Sequence, residues 1–206
     1  MNFQAPSDWG DIKGFLADSE AEALFSHGGN CARLGPLLEI GSYCGKSTIC
    51  LGLAAREADS VVYALDHHRG SEEHQLGEMF HDKDLYDSGS GQMDTFREFR
   101  ANIDRAGLTN TVIPVVATSE LAARQWSTPL AMVFIDGGHS LDAALCDYRA
   151  WAPKVLCGGV LAIHDVYPDA AEGGQAPYAI YCMARESGFF RELERVESLA
   201  ILERIA

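Results

Sequence analysis

Residues 37–48, LLEIGSYCGKST, constrain the fold more than any other stretch of the chain. Leu37, Leu38 and Ile40 form a short apolar run that reads as a buried strand. The run enters a turn bracketed by Gly41 and Gly45, and a helix follows from Ser47 through Arg56. Glycine permits a tight turn and a close approach of ligand to backbone. The N-terminus of the following helix brings free N–H groups and a positive dipole end to the same place. A strand, a glycine turn and a helix start in this order commit the chain to an α/β architecture with a ligand-type turn near its beginning.

Three ligand readings and one structural reading compete for this turn. A phosphate loop, G-x-x-x-x-G-K-[ST], ends as Gly45-Lys46-Ser47 does, but its first glycine falls on Ile40, so the loop is one residue short. A dinucleotide fingerprint, G-x-G-x-x-G, fails at Tyr43. An acidic residue, any residue, glycine and then small residues is the pattern of an S-adenosylmethionine (SAM) loop, and Glu39-Ile40-Gly41-Ser42 with Gly45 suits it. A plain strand-to-helix turn is the fourth.

The rest of the chain repeats the alternation. Residues 7–27 carry a helical pattern, with Ser19 and Glu22 marking a second helix start and Gly28-Gly29-Asn30 its end. Residues 61–65 read as strand two, ending in Asp66. Residues 67–93 break the rhythm as a long polar, glycine-dotted, histidine-rich insertion, expected either to lie over the site as a lid, with His67, His68, His74 and His81 available to a polar substrate, or to be a solvated mobile loop with some helix. Asp94 caps a helix that Gly107 closes. Strands follow at 112–116, 131–135 and 160–163, with helices at 119–125, after Ser140 and at 177–186. Two β-type runs, about 190–195 and 198–203, are joined too closely for a crossover and predict an antiparallel hairpin. The expected architecture is a Rossmann-like, doubly wound, mainly parallel seven-stranded sheet with that hairpin at one edge, in a single domain over 1–206.

Composition narrows the function classes. Apolar residues make up 47% of the 206-residue chain and no apolar run reaches the length of a membrane span. No basic segment followed by an apolar run opens the chain, so no signal peptide is expected. The net charge of −14 argues against a nucleic-acid backbone or an anionic membrane as partner. The six cysteines show no C-x-x-C pair, which predicts reduced core thiols and a cytoplasmic location. The N-terminal helices and the lid are candidate surfaces of a homodimer.

Ligands of open α/β sheets bind outside the carboxyl ends of the strands. Those ends are Glu39-Ile40-Gly41, Asp66, Ala117-Thr118-Ser119, Asp136 and His164-Asp165. Asp66 lies about 20 residues past the glycine turn, where an acid accepts hydrogen bonds from a ribose diol. Thr118 and Ser119 stand where this architecture often lines an adenine pocket. Asp136 and His139 share one tight turn. Asp136 and Asp165 suit a hard divalent cation such as magnesium, while His164 is a softer donor that stands behind the ligands or favours manganese. His139 has the pKa range to accept a proton from a hydroxyl.

On LEIGSYCGKST, ALD ending at Asp66, FIDGGHS, and AIHD after GGVL, the chain resembles class I SAM-dependent O-methyltransferases. Within that class it is similar to the metal-dependent macrolide-sugar group, with its relatives in cephalosporin and aminocoumarin pathways, and to mycobacterial 1-O-methyltransferases of methylmannose polysaccharide synthesis. The resemblance covers about residues 35–167. It implies a cofactor set of Glu39, Ile40, Gly41, Ser42, Gly45, Ser47, Asp66, Thr118, Ser119 and Asp136. It implies magnesium, or manganese, on Asp136, His164 and Asp165, and His139 as base. His164 departs from the acidic residue that the sugar enzymes carry. The implied reaction methylates a hydroxyl of a small molecule or oligosaccharide, with a sugar expected and a catechol-type phenol or a non-catalytic binding module as alternatives.

Overall fold

The computed structural model describes residues 3–71 and 82–206. Among the described residues the strands are β1 Leu37–Ile40, β2 Val62–Asp66, β3 Tyr86–Asp87, β4 Gln92–Met93, β5 Val112–Val116, β6 Leu130–Ile135, β7 Val155–Ile163, β8 Phe190–Val196 and β9 Leu199–Arg204. The α-helices are α1 Asp18–Ala32, α2 Lys46–Glu57, α3 Phe96–Arg105, α4 Ser119–Ala123, α5 Leu141–Trp151 and α6 Ala176–Glu186. Seven strands form one sheet in the order β5-β2-β1-β6-β7-β9-β8. The first five run parallel, β9 is antiparallel to β7, and β8 closes the hairpin at the edge. This is the doubly wound, mainly parallel sheet with a C-terminal hairpin that the alternation predicts.

Two-sided burial explains the apolar runs. All six residues of β6 are buried, as expected for a central parallel strand covered on both faces. Along β1 the faces alternate. Leu38 and Ile40 join the cluster of Trp151 on α5 and Ile180 on α6. Leu37 joins the opposite cluster with Leu24 of α1 and Leu51 of α2. Burying side chains of this size contributes about 1.5–3 kcal/mol each relative to exposure.

Three local expectations are corrected. The helix start expected at Ser19 is two residues earlier, with Ala17 at the cap and the Glu20 carboxylate accepting from the Ala17 N–H at 3.0 Å. Gly28 and Gly29 do not end the helix, which runs on to Ala32. A Cβ on Gly28 would lie 3.1 Å from Leu51 Cδ2, so the small residue lets α1 pack closely on α2. Strand β7 begins at Val155 and carries Gly158 and Gly159 inside it, where the register with β6 shifts. Of the expected lid, residues 82–93 form a 3-10 turn and the β3–β4 hairpin. His74 and His81 lie outside the described residues. No helix among the described residues is long and apolar enough to cross a membrane. All six cysteines are free, with Cys31, Cys44 and Cys50 buried and Cys157 exposed.

Candidate functional site

Strand register brings the polar strand ends together. Ile40 pairs with Leu65 and with Ile135, and Ile135 pairs with Ile163. The next row across the sheet is therefore Asp66, Gly41, Asp136 and His164. Backbone bonds continue the ladder into that row, from Gly41 N to Leu65 O at 2.9 Å, Asp136 N to Ile40 O at 2.9 Å, and His164 N to Ile135 O at 3.1 Å. The order of the strands reverses between β1 and β6, which is where open sheets of this kind bind ligands. A cavity of about 1010 Å³ opens there. Gly41, with φ +86°, is obligatory, because a Cβ would sit 2.0 Å from the Asp136 carbonyl oxygen.

Ile40, Gly41, Ser42, Ser47, Asp66, Ser119, Asp136, His139, His164 and Asp165 all line this cavity. Glu39, Gly45 and Thr118, expected beside them, do not, and each has a physical reason. The pleat turns Glu39 away from Ile40 and toward the start of α2. There it is fully buried and accepts from Ser47 Oγ at 2.6 Å and from Thr48 Oγ1. Burial pushes its carboxyl up to about 7 despite those bonds. Gly45 caps α2 with φ +90° and packs against Phe99 of α3. Thr118 caps α4, its hydroxyl accepting from Leu121 N at 3.4 Å. Lys46 is the first residue of α2 and lies 5.0 Å over the Trp9 ring.

Asp66 shapes the loop that faces the cavity. Its Oδ2 accepts from Ser42 N at 3.0 Å and Tyr43 N at 2.9 Å, and its Oδ1 accepts from His68 N at 2.7 Å. A carboxylate offers about four acceptor positions, so one is left for a diol. His67 lines the cavity, but His68, expected to meet substrate, is buried between Phe96 and Phe99 with Nδ1 on Thr95 Oγ1 at 2.7 Å. Burial lowers its pKa.

At the other end of the cavity, His139 Nε2 lies 3.0 Å from Asp165 Oδ2. Asp165 itself has φ +56°, a backbone conformation rare outside glycine. His164 is buried between carboxylates. Its Nδ1 is 3.1 Å from Asp136 Oδ1 and 3.5 Å from Asp165 Oδ2, and its Nε2 is 3.0 Å from Glu20 Oε2. Burial opposes a charged ring, but Asp136, Asp165 and Glu20 outweigh it and hold the imidazolium far above its ordinary range. Burial likewise opposes ionised Asp165, and hydrogen bonds from His139 and His164 overcome it and hold that carboxyl below the usual range. The expected metal set of Asp136, His164 and Asp165 therefore does not fit, because neither ring nitrogen of His164 is left to bind an ion. Ligand atoms of Asp136, His139 and Asp165 do lie within 4.8 Å of one another.

Several lining residues carry no sequence motif. Phe15 and Tyr167 add aromatic wall beside Tyr43 of the glycine loop, and Lys13, whose ammonium is held by Asp82 and Asp84, also lines the cavity. Asp147 is a buried lining carboxylate on α5, pushed up to about 6 by burial against a hydrogen bond from Ser119. Its signal was present, since Ala144, Asp147 and Trp151 share one helix face and an acid interrupts it. Glu20 had no such signal, because its partners are 144 and 178 residues away.

The site is thus a glycine loop, an acid at the end of β2 and a cavity at the switch point of a doubly wound α/β sheet. A family model described as "Methyltransferase domain" matches residues 38–166, and the chain belongs to that family. Solved structures share the fold. Cofactor-bound Rv0187 from MTB is 19% identical, with a TM-score of 0.66 over 92% of this chain and 81% of that one. The O-methyltransferase NovP is 17% identical, with a TM-score of 0.69 over 91% and 80%. TomG from Streptomyces achromogenes, an O-methyltransferase of tomaymycin synthesis in complex with SAM, is 14% identical, with a TM-score of 0.60 over 98% and 92%.

Proposed function

We propose that this methyltransferase-family protein moves the methyl group of SAM to a hydroxyl of a small molecule or oligosaccharide, with a sugar hydroxyl as the expected acceptor. The observation that carries this reading is the His139–Asp165 pair, 3.0 Å apart, at the end of the cavity opposite the loop that Asp66 shapes. The names of NovP and TomG as O-methyltransferases support it. Gly41, Ser42 and Ser47 take the methionine end of the cofactor, Asp66 the ribose and Ser119 the adenine side. Asp165, beside Nε2 of His139, orients that ring for the base role. The acceptor oxygen attacks the methyl carbon as the carbon–sulfur bond breaks, and its proton passes to His139. The products are a methyl ether and S-adenosylhomocysteine. Positioning supplies most of the rate, because the two reactants are held in line. No step is assigned to magnesium or manganese, since His164 of the expected set has no ring nitrogen left for the ion.

The aromatic wall of Phe15, Tyr43 and Tyr167 favours a second reading, a catechol-type phenol as acceptor. Labelled SAM offered with a panel of sugars and catechols separates the two. Transfer to sugars is expected, and transfer confined to catechols selects the second reading. His139→Ala is expected to lower kcat by about 10²–10⁴-fold with S-adenosylhomocysteine affinity unchanged. Near-wild-type turnover in that variant removes His139 from the base role.

A further inference from the structure

His164 lines the main cavity and also a second one of about 530 Å³ beside it, yet its side chain is only 4% exposed. Its two ring nitrogens face carboxylates on opposite sides, Glu20 at 3.0 Å and Asp136 at 3.1 Å. A neutral imidazole has one donor nitrogen and one acceptor nitrogen, and an ionised carboxylate only accepts. Carboxylates at both nitrogens therefore call for two N–H groups and a charged ring. Glu20 is as firmly placed as the ring it holds. Its Oε1 accepts from Ser198 N at 3.0 Å and Ser198 Oγ at 2.8 Å, and its Oε2 also accepts from Ala17 N at 3.0 Å. The start of α1 and the turn between β8 and β9 thus fix one face of the imidazolium. The other face points at the two carboxylates of the reaction centre.

We propose that His164, fixed by Glu20, is a resident cation that takes the place between Asp136 and Asp165 which a divalent ion would otherwise fill. The proposal rests on the methyl-transfer reading for the identity of the centre. Asp136 Oδ1 is committed to Nδ1 of His164, and Asp165 Oδ2 is shared between His139 at 3.0 Å and His164 at 3.5 Å. A divalent ion at this centre has to sit against an imidazolium, where like charges repel, and it displaces an N–H group wherever it takes Asp136 Oδ1 or Asp165 Oδ2. The ring keeps both carboxylates oriented without an exchangeable ion, so His164 is a positioning residue and Glu20 positions it in turn.

Calorimetric titration of the full chain with magnesium chloride and with manganese chloride tests this. The wild type is expected to show no saturable binding of either ion up to about 5 mM, weaker than the weak end of protein calcium sites. The double variant Glu20→Gln with His164→Asp places a third carboxylate beside Asp136 and Asp165 and removes the anion behind it. It is expected to bind magnesium at least about tenfold more tightly than the wild type, since oxygen ligands suit that ion. Wild-type binding of either ion with Kd below about 0.1 mM overturns the proposal. So does a double variant that binds S-adenosylhomocysteine as the wild type does and gains no metal affinity. If the double variant does not fold, the wild-type titration decides alone. Failure of the wild type to bind S-adenosylhomocysteine counts against the methyltransferase reading and leaves the metal result to judge the resident cation.

Discussion

A carboxylate closed off from water beside two hydroxyls has a stability cost that depends on pH. Glu39 is such a group, and burial raises it from an ordinary 4.5 to about 7. The folded state holds the Glu39 proton over a range where the unfolded state has released it. Its contribution is therefore fully present below about pH 4.5 and is lost as pH rises through 7. The window is worth on the order of 3 kcal/mol if the shift is fully expressed. Glu39→Gln removes this slope, so the variant is expected to gain stability relative to wild type between pH 4.5 and pH 8, read from urea midpoints at both. Parallel midpoints at the two values would falsify the assignment. Asp66 and Asp136 were legible in the sequence because each follows directly on a buried apolar run, and Asp165 because it stands one residue beyond another. The direction of Glu39 was not, because the glycine loop drew attention to the cavity while the pleat sends that side chain to Ser47 and Thr48. The role of His164 was not legible either, since it depends on Glu20, a residue distant in the chain.

Helix α1 shows how an element can be misjudged from local signals and still be placed by packing. Gly28 and Gly29 read as a stop, and in an isolated helix each glycine costs about 1 kcal/mol relative to alanine. In the folded chain Gly28 is buried against Leu51, Ala54 and Leu37, where the absence of a side chain permits close contact with α2 and β1. Gly28→Val is expected to destabilise the protein by about 1–3 kcal/mol through overpacking, measured as a lower denaturant midpoint with an unchanged slope. Stabilisation by this change would mean that α1 has room to move off α2. The same helix carries Glu20 to Ser198 and His164, and Ser19 bonds to Glu197, so α1 ties the C-terminal hairpin to the reaction centre. The hairpin itself was legible from two β-type runs too close for a crossover, whereas its turn acting as a support for the site needed the long-range contacts.

On the scale of the whole molecule, the alternation of strands and helices was enough to give the sheet, because parallel strands buried on both faces leave few other arrangements. The ligand class was harder to fix, since a glycine turn before a helix suits phosphate, dinucleotide and SAM alike. Linkage separates them. A ligand that binds only the folded state at 100 times its Kd adds about 2.7 kcal/mol. For a chain of 206 residues each kcal/mol moves Tm by roughly 2–4 °C. S-adenosylhomocysteine at that excess is expected to raise Tm by about 5–10 °C, with NAD and ATP leaving it in place. The discrimination follows from the loop. Tyr43 stands where a dinucleotide fingerprint needs glycine, and Asp66 holds the Ser42 and Tyr43 amides. Those amides are then turned toward a carboxylate of the protein rather than toward a phosphate of a ligand. An equal rise with NAD would show that the loop rearranges to release them, and the cavity would then belong to dinucleotide chemistry.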